Sequence, residues 1–124
     1  MFIEYFVDDM DYYKKLFCDV LGFSVDRDDG TFVQLTRGND KILLDGEAKS
    51  QKPDYHFYNK IDKNTNGIGI ESCFVVDDLD ETYTKAKNFP GLKLTPIKHK
   101  SWGVRDFRIV VPDNYYLRIT EMIN

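Results

Sequence analysis

Side chains able to do chemistry are few in this chain and widely scattered. His56 and His99 are its only histidines, and Cys18 and Cys73 its only cysteines. His99 sits in a Lys-His-Lys run and reads as solvated, whereas His56, among Tyr55, Phe57 and Tyr58, could serve as a general base or a ligand. No Ser–His or Cys–His spacing supports a nucleophile, so no catalytic residue is expected. The run Asp62-Lys63-Asn64-Thr65-Asn66-Gly67 imitates the first half of a calcium loop. The closing position, however, is Cys73 rather than a bidentate acid, and a strand pattern follows instead of a helix, so the run reads as a turn. Asp26 to Gly30 reads likewise as a turn with a solvated charge cluster. Arg118 stands apart, because Leu117 and Ile119 flank it in an apolar segment where an unpartnered charge is costly.

The rest of the composition bounds what these residues could belong to. A chain of 124 residues is enough for one domain able to bury roughly two thirds of its surface without a disulfide or structural metal. Its 42% hydrophobic and 31% charged content is that of a globular protein. A net charge of −4 argues against nucleic acid as a partner, since phosphate contacts dominate that affinity. No apolar run approaches membrane-spanning length, and no membrane partner is expected. The opening Met1-Phe2-Ile3-Glu4-Tyr5-Phe6-Val7 lacks the basic start of a signal peptide, and the two cysteines read as free thiols. Both features point to the cytoplasm.

The elements that must position the side chains are written twice. Val7-Asp8-Asp9-Met10-Asp11 returns as Val76-Asp77-Asp78-Leu79-Asp80, a shift of 69, and Gly22 falls on Gly91 at the same shift. Phe32 to Leu44 overlays Phe107 to Ile119 at a shift of 75, so about six extra residues lie between Leu94 and Phe107. In each copy a β-branched and aromatic strand runs into paired aspartates that cap a helix. Met10, Tyr13, Phe17, Val20 and Leu21 form one helical stripe, and Leu79, Tyr83 and Ala86 the other. A short strand and a hairpin follow. The expected fold class is α+β, two tandem βαβββ modules, with 1–60 as the first and 61–124 as the second. A long loop, residues 46–66, joins them.

Hairpin geometry assigns faces. A two-residue turn at Gly38-Asn39 opposes Gln34 to Leu43 and sends Val33, Leu35, Ile42 and Leu44 to the helix, leaving Phe32, Gln34, Leu43 and Asp45 on the mixed face. A matching turn at Asp113-Asn114 pairs Ile109 with Arg118. That register puts Val110, Leu117 and Ile119 on the helix side, and Phe107, Ile109, Tyr116, Arg118 and Thr120 on the other.

The repeated order, the opening FVDDMDYYKKLFCDVLGFSV and above all WGVRDFRIVVPDNYYLRITE resemble the vicinal oxygen chelate superfamily, which includes glyoxalase I, extradiol dioxygenases, fosfomycin-resistance enzymes and bleomycin-binding proteins. The resemblance implies sheets curled into a cup with helices outside, and a homodimer. In metal-dependent members ligands come from the first and last strands of each module. Carried onto this chain, those points are Phe2, Leu43, Glu71 and Arg118, of which only Glu71 could bind a cation. No metal and no cofactor is therefore expected.

Glu71 and Arg118 read either as a buried salt bridge or as polar handles for an organic ligand. The resemblance makes Trp102 a pocket wall, with a rim residue as the plainer alternative. Phe32, Tyr116 and Phe107 would extend the lining, with Gln34 and Leu43 beside them, and Phe57 would join if the long loop closes over the cup. The function implied is metal-independent binding or sequestration of a planar, cationic or zwitterionic, antibiotic-like molecule. The alternative is a metal-dependent lyase, isomerase or dioxygenase with relocated ligands.

Overall fold

A strand, a helix and further strands recur in both halves of the chain, three strands following the helix in the first half and four in the second. The computed structural model describes residues 1–46 and 51–122, so part of the joining loop lies outside the described residues. Two units are distinguished, Met1–Asp62 and Lys63–Asn124. The first runs β1 (Ile3–Phe6), α1 (Met10–Lys15) prolonged by a π turn over Leu16–Val20, β2 (Ser24–Asp28), β3 (Phe32–Arg37) and β4 (Asp40–Asp45). The second runs β5 (Ser72–Val76), α2 (Leu79–Lys87), β6 (Lys93–Leu94), β7 (Lys98–His99), β8 (Arg105–Val110) and β9 (Tyr116–Glu121).

The duplication holds at the level of single atoms. Asp9 accepts a hydrogen bond from the Tyr12 backbone N–H at 3.1 Å, and Asp78 accepts one from Glu81 at 3.0 Å, each meeting a helix-end donor that the helix itself leaves unpaired. Gly22 and Gly91 take φ of 77° and 80°, the left-handed conformation that ends each helical segment.

The sheets are mixed. In the first unit the order is β1-β4-β3-β2, with β1 parallel to β4. In the second it is β5-β9-β8, with β6 and β7 both pairing along the far edge of β8. The extra residues of the second copy supply this division. Pro96 lacks the N–H that a continuous strand would need, and Lys93–Leu94 and Lys98–His99 form on either side of it.

Each unit has its own core on the helix side of its sheet. Val33, Leu35, Ile42 and Leu44 are at most 1% exposed, as are Phe107, Ile109, Leu117 and Ile119. Full burial of one such side chain stabilises by about 1.5–3 kcal/mol. Leu16, which the sequence stripe omitted, is fully buried with Phe17 and Val20.

The turn that leads into β5 is held against the β8–β9 hairpin. Asn66 donates to the Asp113 carbonyl at 3.0 Å, and Lys63 pairs with Asp113 at 3.8 Å. A Cβ on Gly67 would overlap the Asn114 carbonyl oxygen, a backbone atom that cannot swing aside. Gly67→Ala is expected to destabilise by about 1–3 kcal/mol, the usual cost of overpacking, as a lower midpoint in urea unfolding. An unchanged midpoint would mean that this contact is loose.

Candidate functional site

The two hairpins differ in register, and that difference decides which side chains leave the core. At Gly38-Asn39 the expected two-residue turn forms, and Gln34 pairs with Leu43. The β8–β9 turn is one residue longer. Asn114 N–H donates to the Val111 carbonyl at 2.8 Å, Val111 N–H donates to Tyr115, and Asn114 takes φ of 63°. This is the three-residue loop built on a turn plus a left-handed residue. Its pairing sets Arg108 against Arg118, Ile109 against Leu117 and Phe107 against Ile119.

The assigned faces of β8 are therefore reversed. Phe107 and Ile109 belong to the helix side, where Phe107 meets the Tyr83 ring edge-on at 4.9 Å, so Phe107 is a core residue and not part of a ligand lining. Val110 moves the other way. By strand alternation the open face carries Asp106, Arg108 and Val110 from β8, and Tyr116, Arg118 and Thr120 from β9. Cys73 and Val75 of β5 lie beside Arg118 and Thr120.

A second correction concerns the pair that sequence reasoning drew together. Glu71 accepts from Arg108 Nε at 2.8 Å, not from Arg118. Arg108 also donates through Nη1 to Asp106 at 2.6 Å, and Lys100 reaches Asp106 at 3.6 Å. Asp106 is only 2% exposed, so these two cations offset a carboxylate that would otherwise be expensive to bury. Arg118 makes no ion pair among the described residues, and its Nε is buried without a hydrogen-bond partner. A side-chain hydrogen bond with Cys73 is the main reason the Arg118 guanidinium pKa lies above its ordinary value, and the charges of Glu71 and Asp106 add to it although burial opposes the shift.

Arg118 forms one wall of a cavity of about 320 Å³ on this face, together with Trp102, Val75, Val104, Asp106, Thr120, Glu121 and Met122. Trp102 is 63% exposed. It is presented by a turn of the same kind as the one at Asn114: Gly103 N–H donates to Lys100, Lys100 N–H donates to Val104, and Gly103 takes φ of 97°. On the helix side Arg105 binds Asp80 and Glu121, and its hydrogen bonds lower both carboxyl pKa values. This ties α2 to the last strand beneath the cavity.

In the first unit Phe32, Gln34 and Leu43 are half-buried on the sheet face away from α1, and Gln34 donates to Asp26 at 3.1 Å. The residue beside Leu43 on β1 is Glu4; Phe2 precedes the strand and is largely exposed. Tyr5 turns inward to stack on Phe17, so Phe6 points to the open face, where Phe57 meets it edge-on at 6.3 Å and Tyr55 lies at 6.1 Å. The aromatic loop thus packs on its own unit's sheet.

Of the expected site residues, the second unit brings Trp102 and Arg118 into one cavity, holds Glu71 and Tyr116 on the same face, and withdraws Phe107 into the core. Sequence reasoning missed Asp106 and Arg108 outright. Their signal was the third loop position, Gly103 or Asn114, which lengthens each turn and moves the register by one.

A metal of the kind used by enzymes of the superfamily does not fit these residues. Of the four points carried over for the usual ligands, Phe2 and Leu43 offer no lone pair, Arg118 is cationic and Glu71 is bound by Arg108, while the strand neighbours of Leu43 and Arg118 are Glu4 and Cys73. Among the described residues no group of three or more His, Cys, Asp or Glu is placed to hold an ion. Nor is any helix among them long and apolar enough to cross a membrane.

Comparison with known proteins bears on the fold. The chain resembles a glyoxalase/bleomycin resistance protein/dioxygenase family enzyme from Burkholderia phytofirmans PsJN, with 18% identity over 98% of this chain and 97% of that one and a TM-score of 0.78. A bleomycin-binding protein solved in complex with bleomycin matches at 20% identity, 99% and 98% coverage and a TM-score of 0.66. Lactoylglutathione lyase from Agrobacterium tumefaciens matches at 20% identity, 98% and 92% coverage and a TM-score of 0.68. A search of curated proteins returns no match. At such identities these structures share the fold, which is that of the vicinal oxygen chelate superfamily, and they include both binders and enzymes. The family model of the glyoxalase-like domain matches residues 2–124, and the chain belongs to that family.

Proposed function

We propose that the protein binds a small organic molecule, without a metal, on the open face of the β5-β9-β8 sheet. The observation that carries this reading is the Arg118 guanidinium, whose buried Nε lacks a partner in the wall of a cavity next to the exposed ring of Trp102. A donor left in that state costs about 1–3 kcal/mol, and an anion held against the guanidinium in the cavity wall offsets that cost. Val75, Val104 and Met122 supply apolar wall, and Trp102 offers a flat face for stacking. The ligand class is a flat molecule carrying a carboxylate or similar anion. A cationic ligand is disfavoured because Glu71, its intended partner, is engaged by Arg108. The bleomycin complex of a fold neighbour supports small-molecule binding on this scaffold. The setting we propose is a cytoplasmic homodimer.

The test is binding by protein stripped with EDTA, using 2-naphthoate and the uncharged 2-naphthylmethanol as probes. Calorimetry should give an affinity for the acid about tenfold or more above that for the alcohol, the worth of one charge-assisted hydrogen bond. The same affinity should be found with and without added zinc. Binding that appears only after a divalent metal is restored would overturn the proposal.

A further inference from the structure

A second cavity, of about 260 Å³, opens on the same sheet face and is lined by Thr95, Pro96, Lys98, Lys100, Asp106, Arg108 and Tyr116. Asp106 belongs to both cavities and forms the wall between them. The second differs in chemistry from the first. Three cations, Lys98, Lys100 and Arg108, line it, against the carboxylate of Asp106 and the nearby Glu71 that binds Arg108. Arg108 and Lys100 are occupied in neutralising Asp106, whereas Lys98, paired with Asp106 across the β7–β8 ladder, makes no ion pair among the described residues. An excess positive charge therefore faces the cavity, presented by the β7–β8 hairpin.

We propose that this basic cavity is an anion subsite for the same ligand, whose class is then a flat molecule extended by a phosphate-like group that reaches past Asp106 to Lys98. The inference rests on the reading of the Trp102 cavity given above, and adds a second anchor to it. An anionic group suits the subsite because Lys98 brings a positive charge that is left over once Lys100 and Arg108 are balanced by Asp106 and Glu71. The Asp106 wall carries no net cost to the anion while Arg108 and Lys100 are bound to it.

Three probes separate the parts: inorganic phosphate, 1-naphthol and 1-naphthyl phosphate, each titrated by NMR into wild-type protein and into the Lys98→Ala and Lys98→Glu variants. Lys98 is exposed, so both variants should fold. In the wild type 1-naphthyl phosphate should bind about tenfold or more tighter than 1-naphthol, from charge-assisted contacts. Lys98→Glu should remove most of that gain, Lys98→Ala part of it, and neither should change naphthol binding. Equal affinity for naphthol and its phosphate would overturn the subsite and, with it, the anion preference proposed for Arg118. A phosphate gain that survives Lys98→Glu would put the anion elsewhere and overturn the subsite too. Phosphate binding with no added affinity from the naphthyl ring would instead sink the aromatic reading, and with it a single ligand spanning both cavities.

Discussion

Replacing Phe107 by alanine is expected to lower stability by about 3–5 kcal/mol, the range for deleting a large aromatic ring from a packed core. Phe107 is fully buried, packs on Tyr83 of α2, and pairs across the hairpin with Ile119. The hole left behind cannot close without moving the helix. Urea unfolding should show the lowered midpoint, while the folded fraction retains its affinity for 2-naphthoate. Under the alternative register, in which Phe107 lines a ligand cavity, the result is the opposite: a small stability change and a large loss of binding.

Arg108→Ala should be comparably severe, about 3–5 kcal/mol, for a different reason. Arg108 holds two carboxylates, and one of them, Asp106, is nearly inaccessible to water. Its removal leaves that buried charge with Lys100 alone at 3.6 Å. The cost should fall when the charge is removed as well, so the double variant Arg108→Ala with Asp106→Leu should recover most of the lost stability. Equal losses in the single and double variants would show that the arginine acts through its packing and not through the buried acid.

Arg118 directly opposes Arg108 across the hairpin, and the contrast between them is informative. Like charges at facing strand positions are unfavourable, and Arg118 lacks the two carboxylates that hold its neighbour. Structure-stabilising work is assigned to Arg108 and availability to Arg118, although their side chains are identical.

Much of this arrangement was legible in the residues. The paired aspartates, the glycines at 22 and 91 and the alternating Val33, Leu35, Ile42 and Leu44 gave the element order and the inner face of the first sheet, because caps and burial act locally and periodically. Arg118 was recognisable as anomalous for the same reason, being a charge in an apolar run. The Glu71–Arg118 pairing failed because it depended on the length of one turn. Asp113-Asn114 reads as a two-residue turn by analogy with Gly38-Asn39, yet Asn114 adopts the left-handed conformation as the last of three. One residue of slip exchanges the faces of β8, removing Phe107 from the open side and bringing Asp106 and Arg108 onto it. The fate of the aromatic loop was illegible for another reason. Phe57 meets Phe6 through a contact distant in sequence, which no local pattern encodes.

Trp102 is the only tryptophan in the chain, so its indole N–H gives a single resonance at the mouth of the cavity. Titrating 2-naphthoate into wild-type and Arg118→Leu protein while following that peak shows whether Arg118 holds the anion beside the indole ring. A saturable shift is expected in the wild type, with an affinity about tenfold or more weaker in the variant, as loss of one charged donor implies. The variant should unfold at the same urea concentration or a higher one. A Trp102 resonance that does not move, or one that moves at the same concentration in both proteins, would contradict that role for Arg118.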